Sequence, residues 1–185
     1  MRILHTMIRV NNLDESIKFY KNFFGMKVLR KQDYPKGKFS LAFIGYGEEE
    51  ENIKKLTNEL GLNEQVIFLK NISQDLKNAL VSKSNLFVMP SIIHKTSVEG
   101  FGIAYVEAAQ YGIPSIGGKD GGASDAIKNN ETGIICDGNN LEEIYSSIDL
   151  ILKNNSYLEM GKKAKDYSTR FEWENIVKEY LKILW

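Results

Sequence analysis

The residues of this chain best suited to chemistry lie in the string Glu99-Gly-Phe-Gly-Ile-Ala-Tyr-Val-Glu107. Two carboxylates stand on either side of a Gly-x-Gly turn that opens a helix. Their spacing corresponds to about 2.2 helical turns, but Glu99 precedes the helix. From the loop it can reach over the helix start while Glu107 projects from the helix body. Gly100 and Gly102 let the backbone come close to a phosphate, and the free N–H groups of the first turn point at it. The helix dipole would stabilise the charge that develops on a leaving diphosphate. Carboxylates accept hydrogen bonds from sugar and ribose hydroxyls. The chemistry indicated is the holding of a nucleotide-diphosphate sugar. Taken alone, the same spacing also fits a Gly-capped helix that buries Ile103, Val106 and Ala109 and leaves both glutamates in solvent.

The surrounding elements place this motif at the carboxyl end of a strand. LFVMPS reads as a short apolar strand just before it. GFGIAYVEAAQYG is a helix closed by Gly112, followed by the strand IPSIGG, the helix GASDAIKNN and the strand TGIICD. Upstream, SLAFIG and VIFLK are strands and EEEENIKKLTNELG is a helix with an acidic first turn. SQDLKNALVSK is a helix with Ser73 as its N-cap. Three helices close the chain: LEEIYSSIDLILKN, SYLEMGKKAKDYSTR and FEWENIVKEYLKILW. Short apolar strands alternating with helices predict an α/β fold with a doubly wound parallel sheet. In such sheets ligands bind outside the carboxyl ends of the strands. The first 47 residues have a different rhythm: the strand ILHTMIRV, the helix LDESIKFYKNFFG, the strand KVLRKQ, the turn signal YPKGK and the strand SLAFIG, a βαββ order.

From about residue 41 onward the ordered string VEGFGIAYVEAAQYGIPSIGGKDGGASDAI, with MPS before it and N-x-x-TG after it, resembles the donor-binding half of a retaining GT-B glycosyltransferase. The resemblance implies a Rossmann-like domain. It gives Glu99 the hydroxyls of the donor sugar, Glu107 the ribose, and Gly100, Phe101 and Gly102 the diphosphate and sugar. It also implies that the loop Lys70, Asn71, Ile72 after VIFL holds the base through backbone groups. The donor would be a nucleotide-diphosphate sugar, and no metal is required in that family. Asp125 stands where the family often has Glu, and first-turn helix charge explains it equally well. His94 and Lys95 read as an exposed loop, and Cys136 as strand packing.

Residues 1–47 resemble the start of glyoxalase I, the lactoylglutathione lyase, so that the strand at 41–45 serves both patterns. The domain division implied is a partial glyoxalase-type module over 1–47 and a GT-B C-terminal domain over 48–185. Neither enzyme is complete in these residues. The GT-B acceptor domain is missing, as is the first strand of the donor domain with its Arg and Lys. The segment MIRVNNLDESIK offers Arg9 and Lys18 in that place. Of the four metal ligands of the lyase only His5 has a counterpart, as an orphan remnant. Where a glutamate should follow, a few residues past 51, Lys54 and Lys55 stand instead. One imidazole does not hold an octahedral ion.

The reading is therefore a truncated donor-binding domain with impaired transfer. Two alternatives are a glyoxalase-like metal-dependent lyase and a non-catalytic nucleotide-binding module. Composition fits an ordinary globular chain, with 43% hydrophobic and 26% charged residues. Formal net charge is zero, yet residues 1–47 carry +6 and the remainder −6, a shift that falls at the change of resemblance. The basic residues are scattered, which argues against a nucleic-acid partner. No apolar run approaches the roughly 20 residues of a membrane span. The one cysteine excludes an internal disulfide, and the cytoplasm is the expected compartment. Purified protein is expected to carry no stoichiometric Ni²⁺ or Zn²⁺ and to leave the methylglyoxal–glutathione hemithioacetal unchanged. Elemental analysis finding one tightly bound metal per chain would refute that expectation.

Overall fold

The computed structural model describes residues 3–8, 40–45, 47–94 and 97–184. They fall into two compact units, Met1–Ser84 and Asn85–Trp185. The expected helix over LDESIKFYKNFFG, the strand KVLRKQ and the residues Arg9, Lys18 and Lys95 lie outside the described residues.

In the first unit, β1 (Ile3–Ile8) pairs antiparallel with β2 (Ser40–Gly45), with His5 opposite Phe43. β2 in turn pairs parallel with β3 (Val66–Leu69). Phe43 and Phe68 are directly opposite across that parallel pair, and their rings stack with centroids 5.1 Å apart. Helix α1 (Glu50–Glu59) follows β2, with Glu50 and Glu51 in its first turn. Helix α2 (Gln74–Ser82) begins at Ser73, whose hydroxyl accepts from the Leu76 N–H at 3.2 Å, the predicted cap. Among its described residues, Ala42, Ile44 and Leu80 form a buried cluster, with Leu69, Ile72 and Leu76 packed on it.

The second unit is a parallel sheet with helices. β4 (Phe87–Met89) pairs with β5 (Ser115–Gly118), and β5 with β6 (Gly133–Cys136). Parallel strands are covered on both faces and read as continuous apolar runs; β4 and β5 are buried at every position. The helices are α3 (Ile103–Gln110), α4 (Ala123–Ala126), α5 (Leu141–Leu152), α6 (Tyr157–Ser168) and α7 (Trp173–Leu184). Leu86, Tyr105, Pro114, Ile116 and Ile151 are its most deeply buried large side chains. Asn140 caps α5, its side-chain oxygen accepting from Glu142 and Glu143 N–H at 3.1 and 3.2 Å.

Helix α4 stops much sooner than GASDAIKNN suggests. Ile127 is extended, at φ −120° and ψ 122°. The Lys128 N–H then donates to Thr132 Oγ1 at 2.8 Å, and Asn130 takes a left-handed φ of 63°. Side-chain bonds of this kind compete with helix continuation. On α7 the outer side is apolar and open: Trp173, Tyr180 and Ile183 are all highly exposed.

Helix α6 and the turn just past the end of α3 meet where neither has a side chain. A Cβ on Gly161 would stand 2.0 Å from the Gly112 carbonyl oxygen, a backbone atom that cannot swing aside. Gly161→Ala is expected to separate the two helices and cost about 1–3 kcal/mol, as overpacking does. Urea unfolding of the variant beside the native chain measures it; an unchanged midpoint would contradict the close crossing.

Candidate functional site

The sequence motif sits at the carboxyl end of the parallel sheet of the second unit. β4 ends at Met89, and the Met89 carbonyl accepts from the Ser91 N–H at 2.8 Å, turning the chain away from the sheet. His94 and Ser97 then exchange two backbone bonds, 3.0 and 2.9 Å long. The chain returns through Glu99 to Gly102, which caps α3 in the left-handed conformation at φ 78°. A residue with a Cβ would be strained there and would also strike the ring of Tyr105, 2.4 Å away. Cap position and glycine therefore agree, as the Gly-x-Gly reading requires.

Glu99 and Gly100 are fixed by a second loop. Glu99 bridges Gly121 in parallel, and the Gly122 N–H donates to the Glu99 carbonyl at 3.0 Å. A Cβ on Gly122 would lie 1.6 Å from the Gly100 oxygen, and one on Gly121 2.6 Å from the Glu99 oxygen. Gly121 also has a φ of 139°. The sequence showed the Gly-Gly pair as a flank of the motif; the structure gives its reason, which is backbone-to-backbone contact with the motif itself. Gly118, at the end of β5, is similarly close: a Cβ there would be 1.8 Å from the Ser91 oxygen. The rim is thus a set of main chains packed against each other.

Around this cradle the named side chains divide. Glu99 is buried at 5% exposure and Glu107 is half-buried, so the reading with both glutamates in solvent does not hold. Val106 and Ala109 are buried, but Ile103 is 69% exposed, so the helix buries only part of the apolar face expected of it. Phe101 is partly exposed and meets Phe171 edge-on, centroids 5.3 Å apart. Phe171 in turn meets Tyr167 at 5.6 Å, and the Arg170 guanidinium lies 4.9 Å from the Tyr167 ring and 5.4 Å from that of Phe171. Nothing in the local sequence of the motif signals this partner, which arrives from the end of α6. At the neighbouring strand ends, Lys119 Nζ pairs with Asp137 at 2.7 Å. Hydrogen bonding to that carboxylate raises the Lys119 pKa, and the same bond holds Asp137 low.

The loop Lys70–Ile72 belongs to the first unit. Lys70 Nζ is bound to Glu50 at 2.7 Å, Asn71 is left-handed at φ 49°, and Ile72 packs into the core. Two of its side chains thus have structural employment, Lys70 in the ion pair and Ile72 in packing. Glu50 is held below the usual carboxylate range by Lys54 and then by Lys70. Lys54 and Lys55 stand on helix α1, where the lyase pattern would require a strand bearing a glutamate. Asp125 lies in the first turn of the short α4, in keeping with a helix-start charge. His94 is exposed and Cys136 buried. Among the described residues no group of three or more His, Cys, Asp or Glu is placed to hold a metal. None of the described helices is long and apolar enough to cross a membrane.

The family model for glycosyl transferases group 1 matches residues 11–170. The chain belongs to the group 1 glycosyl transferases. The match begins well upstream of residue 41, where the sequence resemblance was drawn. A GDP-mannose-dependent alpha-(1-6)-phosphatidylinositol monomannoside mannosyltransferase of Mycobacterium tuberculosis is 27% identical over 141 residues, covering 74% of this chain and 37% of that enzyme. The structure of HepE from Anabaena, solved with UDP-glucose, superposes with a TM-score of 0.63 at 23% identity, over 77% of this chain and 40% of that one. The α/β architecture with parallel strands is thus that of GT-B glycosyltransferases. A lactoylglutathione lyase of Neisseria meningitidis is 63% identical over 49 residues, 26% of this chain and 36% of the lyase. The chain therefore joins glycosyl transferase sequence to a short stretch of lyase sequence, as the two resemblances implied. It spans less than half the length of each of these relatives.

One titratable group stands at the centre of this glycosyl transferase cradle. Tyr105 is fully buried, and burial pushes its phenol up to about 12. A phenol ordinarily titrates near 10. Because the folded-state value is raised, its contribution to stability is complete below about pH 10 and is lost as pH rises towards about 12. Between about pH 9 and about pH 11.5 the native chain is expected to lose up to roughly 2 kcal/mol more stability than Tyr105→Phe. Urea unfolding of both proteins at the two pH values tests it; parallel losses would show that the phenol titrates normally.

Proposed function

We propose that the rim formed by Glu99–Gly102, Glu107 and Gly118–Gly122 binds the diphosphate-sugar part of a nucleotide-diphosphate sugar, for retaining transfer of that sugar. The observation that carries this reading is the backbone contact between Gly100 and Gly122, which fixes a glycine turn at the N-terminus of an eight-residue helix. A helix start of that kind presents N–H groups and a positive dipole end to an anion. Glu99 is the acceptor for sugar hydroxyls and Glu107 for the ribose. The solved HepE complex contains UDP-glucose, and the mannosyltransferase relative is GDP-mannose-dependent, which supports a nucleotide-sugar donor without choosing the base.

In this reading residues 1–47 derive from a glyoxalase-type module and residues 48–185 from a GT-B donor domain. The 185 residues alone bind donor weakly and do not complete transfer, since the acceptor in a two-domain enzyme is held by the other domain. The lyase alternative has no comparable support, because the position expected for its next ligand falls on helix α1.

Titration calorimetry with UDP, GDP, ADP and their sugars tests the proposal. One nucleotide is expected to bind in the millimolar range or tighter. Glu107→Ala should cost roughly 1–3 kcal/mol of that binding. Glu99→Ala should weaken the nucleotide sugar more than the free nucleotide. No binding by any of them, or binding indifferent to both substitutions, would leave a module without a donor site.

A further inference from the structure

We propose that Tyr105 is a positioning residue for the donor loop, a role that rests on the donor-site reading. Its hydroxyl donates to the Met89 carbonyl at 2.5 Å, the same oxygen that accepts the Ser91 N–H at 2.8 Å. That oxygen marks the point where β4 ends and the loop begins. The Tyr105 N–H donates to the Gly102 carbonyl at 2.9 Å, at the point where the loop ends and α3 begins. The ring lies against Gly102 so closely that a Cβ there would be 2.4 Å away, and its other side meets Phe87 edge-on at 5.9 Å. One fully buried side chain therefore ties the two ends of the loop that carries Glu99 and Gly100.

The geometry explains why an aromatic phenol occupies a position between the two glutamates. An aliphatic side chain would leave part of that space empty and could not reach the Met89 oxygen across the sheet end. Ser91, whose amide shares that oxygen, lies in contact distance of Gly118 as judged by the 1.8 Å that would separate a Gly118 Cβ from the Ser91 oxygen. The hydroxyl thus sets the height of the loop above the strands, and the ring sets the Gly102 turn. Both act on main-chain N–H groups that face the diphosphate, and neither touches the base. Loss of the hydroxyl should therefore be felt by the phosphates of a ligand and not by its nucleoside.

The test compares native protein with Tyr105→Phe, which keeps the ring. Native protein is titrated with UDP, GDP and ADP, and whichever binds best is used with its nucleoside on both proteins. The variant is expected to lose about three- to tenfold in affinity for the nucleoside diphosphate and nothing for the nucleoside. Amide resonances of Gly100 and Gly102 should move in the ligand-free variant, which reads loop position without any ligand. Unmoved amides, or equal losses for nucleoside and diphosphate, would reduce Tyr105 to a core residue. Should native protein bind no nucleotide while the amides move, the donor-site reading fails and the loop-positioning role survives as geometry. If Tyr105→Phe does not fold, ¹³C-tyrosine spectra of native protein decide. The Tyr105 ring signal should shift on diphosphate binding, and a signal indifferent to saturating ligand overturns the proposal.

Discussion

The candidate site depends on one close approach, that of the Glu99–Gly100 backbone to the Gly121–Gly122 backbone. The bond between them, Gly122 N–H to Glu99 carbonyl at 3.0 Å, is ordinary. Its surroundings are not, because no side chain fits between the two segments. An interaction of this kind has no flexible atoms to absorb an error. It places the loop after β4 against the loop after β5, and so brings together two strand ends that are separated in sequence. Glu99 becomes buried as a consequence, not as a property of its own residue type, since glutamate is rarely buried unless something compensates it.

Close glycine contacts recur in the second unit. Gly118 meets Ser91, Gly138 meets Pro90 with a would-be Cβ 2.3 Å from its oxygen, and Gly161 meets Gly112. The first two lie at strand ends, where a parallel sheet offers its ligand-binding edge. The third lies where α6 meets the turn that ends α3, away from the strand ends. The same residue type thus does two jobs, and only the identity of the opposing atoms separates them. Tyr105 adds the opposite solution: a large side chain that fills the space under the one left-handed glycine of the motif and bonds the end of β4.

The first unit has a different character. Its described residues pack through a small aliphatic cluster and the stacked Phe43–Phe68 pair, with Lys54 lying 5.9 Å from the Phe68 ring centre. Here β2 is antiparallel to one neighbour and parallel to the other. A strand with alternating partial burial can accept either partner, since the pleat presents the same side chains to the same faces whichever way the neighbour runs. That property lets one strand serve an antiparallel and a parallel neighbour at once.

The sequence by itself determined the elements of the second unit and the family. Apolar runs bounded by Gly, Pro and Asn mark β4, β5 and β6, and the Ser73 cap is readable because its chemistry is local. The Glu99–Glu107 motif was legible for the same reason: its glycine turn and helix start involve consecutive residues. Helix α4 was overestimated because the bond that ends it, from Lys128 N–H to Thr132 Oγ1, belongs to a competing turn of similar propensity. Only the tertiary structure decided that Gly121 and Gly122 lie on Glu99 and Gly100, that Phe171 abuts Phe101 from seventy positions further along the chain, and that the Tyr105 hydroxyl ends on Met89. Those contacts join residues far apart in the chain, and no periodicity encodes which distant backbone a glycine leaves room for. Local bonding is written in neighbouring residues, whereas close packing is fixed only when the whole sheet and its helices are in place.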